Sequence, residues 1–180
     1  MDAETLVATL LAAVPDAQIE AAPSLDLHTA IYVSRDHLPA LARALRDQFA
    51  CNFLSELTAI DFWPKEPRFE LVYVLVSIAN RLRLRMKVRL PADDPHVTTV
   101  CDVWPAANWL EREVWDLFGI AFDGHPDPRR LLMPEDWQGF PLRKDHPVQI
   151  RMTPNASEPL QVTEEEFRSN LMKDRLTRGR

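Results

Sequence analysis

Residues 69–90 read FELVYVLVSIANRLRLRMKVRL, and the second half of that stretch decides the fold. From position 81 to 90 charged and apolar residues alternate at every step. In a strand with a two-residue side-chain repeat this puts five cations (Arg81, Arg83, Arg85, Lys87 and Arg89) on one face and five apolar residues on the other. Residues 69–79 supply the partner strand. With Ala79 and Asn80 as a two-residue turn, Leu71 faces Val88, Tyr73 faces Met86 and Leu75 faces Leu84, so one side of the hairpin is wholly apolar. On the other side Val72, Val74 and Val76 lie beside Lys87, Arg85 and Arg83, whose long stems cover the aliphatic groups. The cationic row then has two readings: a dock for an acidic partner, or a solvated strand face that also protects a sheet edge from aggregation.

Working outward, Leu6, Leu10, Leu11 and Val14 recur at helical spacing until Pro15, which predicts a short amphipathic helix. Residues 17–22 and 25–33 read as strands. Asp36 is the expected N-cap of a second helix, with Leu38, Leu41, Ala42, Leu45 and Phe49 on one apolar face and Arg43, Arg46 and Asp47 outside it. Residues 53–63 read as a further strand, and Pro91, Pro95 and Pro105 leave at most a short helix over 97–102. A firmer helix spans about 106–118, with Gly119 as its left-handed C-cap.

The character changes at that glycine. Residues 119–159 hold seven of the chain's fifteen prolines and no useful helical or strand period, so regular hydrogen bonding is blocked and the chain is stiffened in extended form. Yet Phe122, Leu131, Leu132, Met133, Trp137, Phe140 and Leu142 are large and apolar, unlike a disordered composition. Such a segment buries its anchors on its own domain or on another subunit. Thr163 and Glu166 form a capping box for a helix over about 164–176. The expected fold is α+β: a two-layer α/β domain over 1–119 with a mixed or antiparallel sheet and helices packed on it. An extended proline-rich strap follows over 120–159 and a short terminal helix over 160–180.

Composition removes several functions. A chain of 180 residues can bury a sizeable core without a disulfide or metal staple. Its four glycines, Gly119, Gly124, Gly139 and Gly179, cannot write a dinucleotide turn. Gly119 and Gly124 have phosphate-loop spacing, but His125 and Pro126 stand where Lys and Ser or Thr are needed. Cys51 and Cys101, far apart, cannot build a four-thiolate cluster or a structural zinc site. The net charge is −6 with the acidic excess in residues 1–61, which offers no nucleic-acid footprint. The acidic N-terminus and apolar runs of half a bilayer span point to a soluble, cytoplasmic chain.

The densest ionisable group is Glu111, Arg112, Glu113, Asp116, Asp123, His125, Asp127, Arg129 and Arg130. One reading makes Asp123, His125 and Asp127 a metal or acid–base site of a free-standing hydrolase. The other has Arg112, Arg129 and Arg130 pairing with acids to pin the strap on the helix, a task suited to the forked guanidinium.

Residues 108–147, NWLEREVWDLFGIAFDGHPDPRRLLMPEDWQGFPLRKDHP, resemble the signature of the C-type (30 kDa) subunit family of proton-pumping NADH:quinone oxidoreductase, respiratory complex I. The matching elements are Glu111-Arg112-Glu113, Asp116-Leu117-Phe118-Gly119-Ile120, Gly124-His125-Pro126-Asp127, Arg129-Arg130, Met133-Pro134-Glu135-Asp136-Trp137 and Pro141-Leu142-Arg143-Lys144-Asp145. Pro128 and Phe140 stand where members commonly have Leu and His, and His146 where an aromatic is usual. The resemblance implies a non-catalytic subunit of the peripheral arm that binds no cofactor or metal itself. FMN, iron–sulfur clusters and quinone belong to other subunits. It further implies that the signature residues, with the strap, pack mainly on the D-type subunit near the B- and I-type subunits, on the cytoplasmic side of the cell inner membrane. An equivalent subunit of a membrane-bound hydrogenase or a plastid-type quinone reductase would share the signature.

Overall fold

The hairpin forms as the alternation dictates. In the computed structural model, which describes residues 3–24 and 28–147, strands β4 (Phe69–Ser77) and β5 (Leu82–Leu90) pair antiparallel. Leu71 lies opposite Val88, Tyr73 opposite Met86 and Leu75 opposite Leu84. The Arg81 amide closes the turn on the Ile78 carbonyl at 3.3 Å. Buried and accessible residues alternate along β5 without a break, the apolar set being buried throughout.

Before the hairpin come α1 (Ala3–Ala13), β1 (Ile19–Ala21), β2 (Thr29–Val33), α2 (Leu38–Phe49) and β3 (Phe53–Asp61); after it come β6 (His96–Thr98), α3 (Ala107–Phe118) and β7 (Ala121–Asp123). The main sheet is mixed, in the order β1-β2-β5-β4-β3, with β2 parallel to β5 and the other pairs antiparallel. This corrects one reading of the arginine row. β5 is the middle strand, bonded on both sides, so its cations guard no edge. The edges belong to β1 and β3. Local pattern could not reveal this, because the β2–β5 pairing joins residues such as Ile31 and Met86 that are distant in sequence.

All three helices pack on the face that carries Leu71, Tyr73, Leu75, Leu84, Met86 and Val88. On α2 the five expected apolar residues, Leu38, Leu41, Ala42, Leu45 and Phe49, are the buried ones. Each leucine among them contributes about 2 kcal/mol by leaving water. The start of α2 differs from expectation. Asp36 lies inside a single 3-10 turn, Arg35–His37, and the helix proper begins after His37 with a proline in its first turn. Ser34 Oγ and His37 Nδ1 are 2.9 Å apart, so the local polar bond is made there and not by Asp36.

A second correction concerns residues 97–102. Instead of a helix, His96–Thr98 forms β6, which pairs parallel with β7 immediately after α3. The Ala121 amide donates to Pro95 O at 2.9 Å and the Thr99 amide to Asp123 O at 3.0 Å, so both ends of this two-stranded ribbon are tied. α3 ends as expected, with Gly119 at φ 71° and its amide on Trp115 O at 2.8 Å. The expected helix over 164–176 lies outside the described residues.

Candidate functional site

The strap is held by side chains that read its backbone. Asp116, fully buried in the last turn of α3, accepts the Leu131, Leu132 and Met133 amides on Oδ2 at 3.1, 2.7 and 2.8 Å. Its other oxygen takes Arg130 Nη1 at 2.6 Å. Burial alone would raise the pKa of this carboxyl; the Met133 and Leu132 amides, Arg130 and the Leu131 amide outweigh it and hold the group below its ordinary value. Arg130 Nη2 also reaches the Trp137 carbonyl at 3.0 Å, so one guanidinium ties α3 to two points of the strap.

Arg112 works in the opposite sense, as a donor. Its Nε and Nη2 bond the carbonyls of Arg129 and Arg130 at 3.0 and 3.1 Å, and its Nη1 lies 3.4 Å from Asp127. Arg129 grips Asp127 with two bonds of 2.7 Å, and this pairing, with Arg112 behind it, holds Asp127 at about 2. The arginines therefore pair with acids as expected, but Arg112 spends more of its fork on backbone oxygen.

Farther along, Arg143 donates to the Phe118 and Gly119 carbonyls, covering the C-terminus of α3, and its guanidinium lies 4.5 Å from the Phe140 ring centroid. Phe140 and Arg143 crowd Gly119 so closely that any Cβ there would collide with both. The Leu142 amide bonds Leu117 O at 3.1 Å. A second joint then follows: the Lys144 amide donates to Asp61 Oδ2 at 2.9 Å, while Asp145 holds Arg68 at 2.8 and 3.0 Å. Arg68 itself grips Asp61 through two bonds of 3.0 and 2.9 Å. Burial would push Asp61 up, but Arg68 and the Lys144 and Trp63 amides bring it down to about 2. Asp61 and Arg68 were missed by sequence reasoning, since nothing near them marks a partner some eighty positions away. Trp137 lies tilted against His146 with ring centroids 6.4 Å apart, where the unusual histidine supplies the ring contact.

His125 does not gather Asp123 and Asp127 around itself. Asp123 Oδ2 is 2.5 Å from His96 Nδ1, across the β6–β7 ribbon, and Asp127 belongs to the arginines. Instead His125 approaches Glu111 and Cys101, whose donor atoms lie within 4.8 Å of one another and of the imidazole. Sulfur, carboxylate and imidazole are the right kinds of ligand for zinc. Each donor is already engaged, however. His125 Nε2 meets Asn108 O at 3.1 Å and Nδ1 accepts the Asp127 amide at 3.0 Å, which assigns a neutral ring protonated on Nε2. Glu111 accepts Thr99 Oγ1 at 2.5 Å and the Val100 amide at 2.8 Å, one on each oxygen. The cluster is thus an internal polar joint between α3, the 99–101 turn and the start of the strap. Its groups show the mark of burial: Glu111 is raised above its ordinary value, chiefly by desolvation, and the Cys101 thiol is pushed up to about 11.

Large apolar side chains remain accessible among exposed charged ones such as Arg129, Glu135, Asp136 and Lys144. Leu132, Leu142 and Trp109 are 56%, 52% and 60% exposed, although they sit beside well-bonded backbone. A cavity of about 120 Å³ opens between Trp115, Phe122 and Pro128, floored by Glu111 and His125. Glu113, Met133 and Pro141 are half-buried, and Gly124, Pro126, Pro134 and Lys144 are exposed. No helix among the described residues is long and apolar enough to cross a membrane.

Residues 31–151 match the family described as the respiratory-chain NADH dehydrogenase 30 kDa subunit, a span that includes every strap residue discussed. A C-type subunit of NADH-quinone oxidoreductase from Roseiflexus sp. is 45% identical over 151 residues, covering 82% of this chain and 86% of that one. The C-type subunit of Geotalea uraniireducens is 46% identical over 119 residues, covering 66% and 73%. Among solved structures, a trypsin-resistant fragment of Nqo5 matches with TM-score 0.58 at 33% identity, over 71% of this chain and 99% of the fragment. A chain of an archaeal membrane-bound sulfane sulfur reductase matches with TM-score 0.61 at 29% identity, over 81% and 85%.

Proposed function

The chain belongs to the 30 kDa subunit family of respiratory-chain NADH dehydrogenase, and from that premise we propose that it is a non-catalytic brace of the peripheral arm of a proton-translocating NADH:quinone oxidoreductase. Electrons pass from NADH through FMN and iron–sulfur clusters held by other subunits to a quinone. The brace supports the quinone-end module from the cytoplasmic side of the membrane. Its strap packs along the D-type subunit, with the B- and I-type subunits close by.

The observation that carries this reading is the division of labour in the strap. Backbone groups are satisfied internally by Asp116, Arg112, Arg143 and Asp61, while Leu132, Leu142 and Trp109 stay exposed. A segment already ordered in this way loses little conformational entropy on docking, so its apolar anchors are free to supply affinity. Cross-linking mass spectrometry on the membrane-purified complex tests it. Links from Lys144 should map to the D-type subunit, and a map that places the strap away from every partner overturns the assignment.

A second reading keeps the scaffold role but changes the complex. The sulfane sulfur reductase chain is as similar in fold as the Nqo5 fragment, so an equivalent subunit of a related membrane-bound complex, such as a hydrogenase or a plastid-type quinone reductase, is the alternative. Proteins co-purifying with a tagged copy from the native membrane distinguish them: flavin-bearing NADH-oxidising subunits support the first, a hydrogenase-type large subunit without them the second.

A further inference from the structure

The two edges of the main sheet are finished differently. β1 is three residues long and offers an incoming chain little to pair with. β3 is nine residues long and pairs with β4 alone. The Phe62 amide donates to Arg68 O at 2.8 Å, which makes these two residues a hydrogen-bonded pair at the end of the ladder. Such pairs alternate with non-bonded ones along antiparallel strands, so Ile60, Thr58 and Glu56 also turn their backbone groups toward β4. Leu57 and Ala59 turn theirs outward. Among the described residues no backbone group meets them there, and their amides and carbonyls line an open edge.

Exposed edges are usually blunted by lysine, proline or a bulge. Residues 53–61 contain no lysine, arginine or proline, and their one register shift lies between Leu54 and Glu56, ahead of the open groups. The side chains bordering the edge are apolar instead. Phe53, Ile60, Phe62 and Trp63 make up four of the eight large apolar side chains exposed among the described residues. Such an edge calls for an occupant, and two observations choose it. Asp61, the last residue of β3, accepts the Lys144 amide at 2.9 Å, while Arg68 holds Asp145 at 2.8 Å, so the edge runs directly into the strap and its exposed Leu142. A partner that receives the strap therefore reaches this edge too. The second observation is charge. Asp61 is buried and gripped by Arg68, which leaves Glu56 as the exposed charge of the strand. A second copy of this chain would bring another Glu56 and a net charge of −6 to the same edge, whereas a foreign strand can bring a cation.

We propose that β3 receives an extended segment of the strap's partner subunit as a sixth strand, its backbone bonded to Leu57 and Ala59, its apolar side chains against Ile60 and Phe62, and a cation facing Glu56. The inference rests on the brace reading and deepens it, because it gives the partner a second foothold beside the strap. In strand addition the main-chain bonds supply affinity and the alternate side chains supply specificity.

Amide hydrogen exchange resolved to single residues, on the full chain alone and on the membrane-purified complex, tests this. In the chain alone, monomeric by sedimentation, Thr58 and Ile60 should exchange slowly and Leu57 and Ala59 fast. In the complex Leu57 and Ala59 should slow by about a hundredfold or more. Ala59→Pro removes an outward N–H and leaves the β4 ladder intact, so circular dichroism should show it folded while complex yield falls about threefold or more. Glu56→Lys alters an exposed side chain, should lower yield likewise, and decides the matter if the proline variant does not fold. Fast exchange at Leu57 and Ala59 in the complex overturns the proposal, as does normal yield with Glu56→Lys. Protection already present in the monomeric chain, which then covers its own edge, or gained through self-association also overturns it. Cross-links from Lys144 separate the two readings. Links to the D-type subunit with Leu57 and Ala59 still fast remove the added strand and keep the brace, and absence of both removes the brace as well.

Discussion

Asp116 Oδ2 accepts the Leu132 amide at 2.7 Å, placing one buried carboxylate of α3 under the middle of the strap. With Leu131 and Met133 it receives three consecutive amides, an arrangement usually supplied by water or a helix cap. The strap is therefore ordered by its own domain before any partner arrives.

Replacing Asp116 by Asn keeps the size and removes the charge. The amide's nitrogen is a donor and cannot accept, and charge-assisted bonds weaken to neutral ones, so a loss of about 2–3 kcal/mol is expected. Thermal unfolding should show a fall in Tm of roughly 5–10 °C. Limited proteolysis should cut first within 129–137, and an unchanged digestion pattern would count against the strap being held here.

The same carboxylates set an acid limit. Asp61 sits at about 2 and Asp116 is also lowered. Groups depressed in the folded state add stability above their unfolded pKa near 4 and lose it as pH falls through the folded value. The contribution of these two carboxylates should thus be flat from neutrality to about pH 4 and drop between about pH 4 and 2. Tryptophan fluorescence of a variant that keeps Trp137 and carries Phe at the other four tryptophan positions should change in that window, and earlier in acid titration when Asp145→Asn is added, which removes one partner of Arg68.

These joints show what could and could not be read from sequence. The hairpin register was legible because strict alternation and a two-residue turn leave one pairing that buries Tyr73 and Met86 together. The exposed arginines of β5 were legible too, but not their central place, because a parallel neighbour such as Ile31 reaches Met86 only through a long crossover. Gly119 announced the end of α3, since a left-handed cap has a chemical signature. Cys101 beside Glu111 and His125, or Asp61 beneath Lys144, had none: each joins residues that share a place only after the sheet has formed. The pinning of the strap was foreseen by residue type, and its acceptors, mostly carbonyls for Arg112, were not.

His96 lies between Asp94, 3.1 Å from its Nε2, and Asp123, 2.5 Å from its Nδ1, with Arg35 bonded to Asp94 at 2.8 Å on the far side. Hydrogen bonding to Asp123 raises its pKa first, burial opposes this, and the charges of Asp123 and Asp94 add to the rise while Arg35 reduces it. A raised histidine stabilises below its unfolded pKa near 6.5, and the contribution is lost as pH rises through the folded value. The β6–β7 ribbon should therefore loosen in mild alkali. NMR titration should find His96 above its ordinary value in the wild type and near it in Asp123→Asn, with faster amide exchange at Ala121 once the ring is neutral.

Arg112 and Glu113 separate strap order from docking. Arg112 bonds two successive strap carbonyls, which a lysine's single ammonium cannot span, so Arg112→Lys should behave nearly as Arg112→Ala. Both should lower the stability of the isolated chain by about 1–3 kcal/mol and reduce the amount of assembled complex in membranes. Glu113 is half-buried and takes no part in the strap bonds described, so Glu113→Ala should leave the Tm of the isolated chain within about 2 °C of wild type. On the proposed brace function it should still lower complex yield, because Glu113 follows the exposed Trp109 by one helical turn on α3. Native gel electrophoresis with in-gel NADH oxidation measures the yield, and normal yield in both variants would remove the scaffold assignment of these residues.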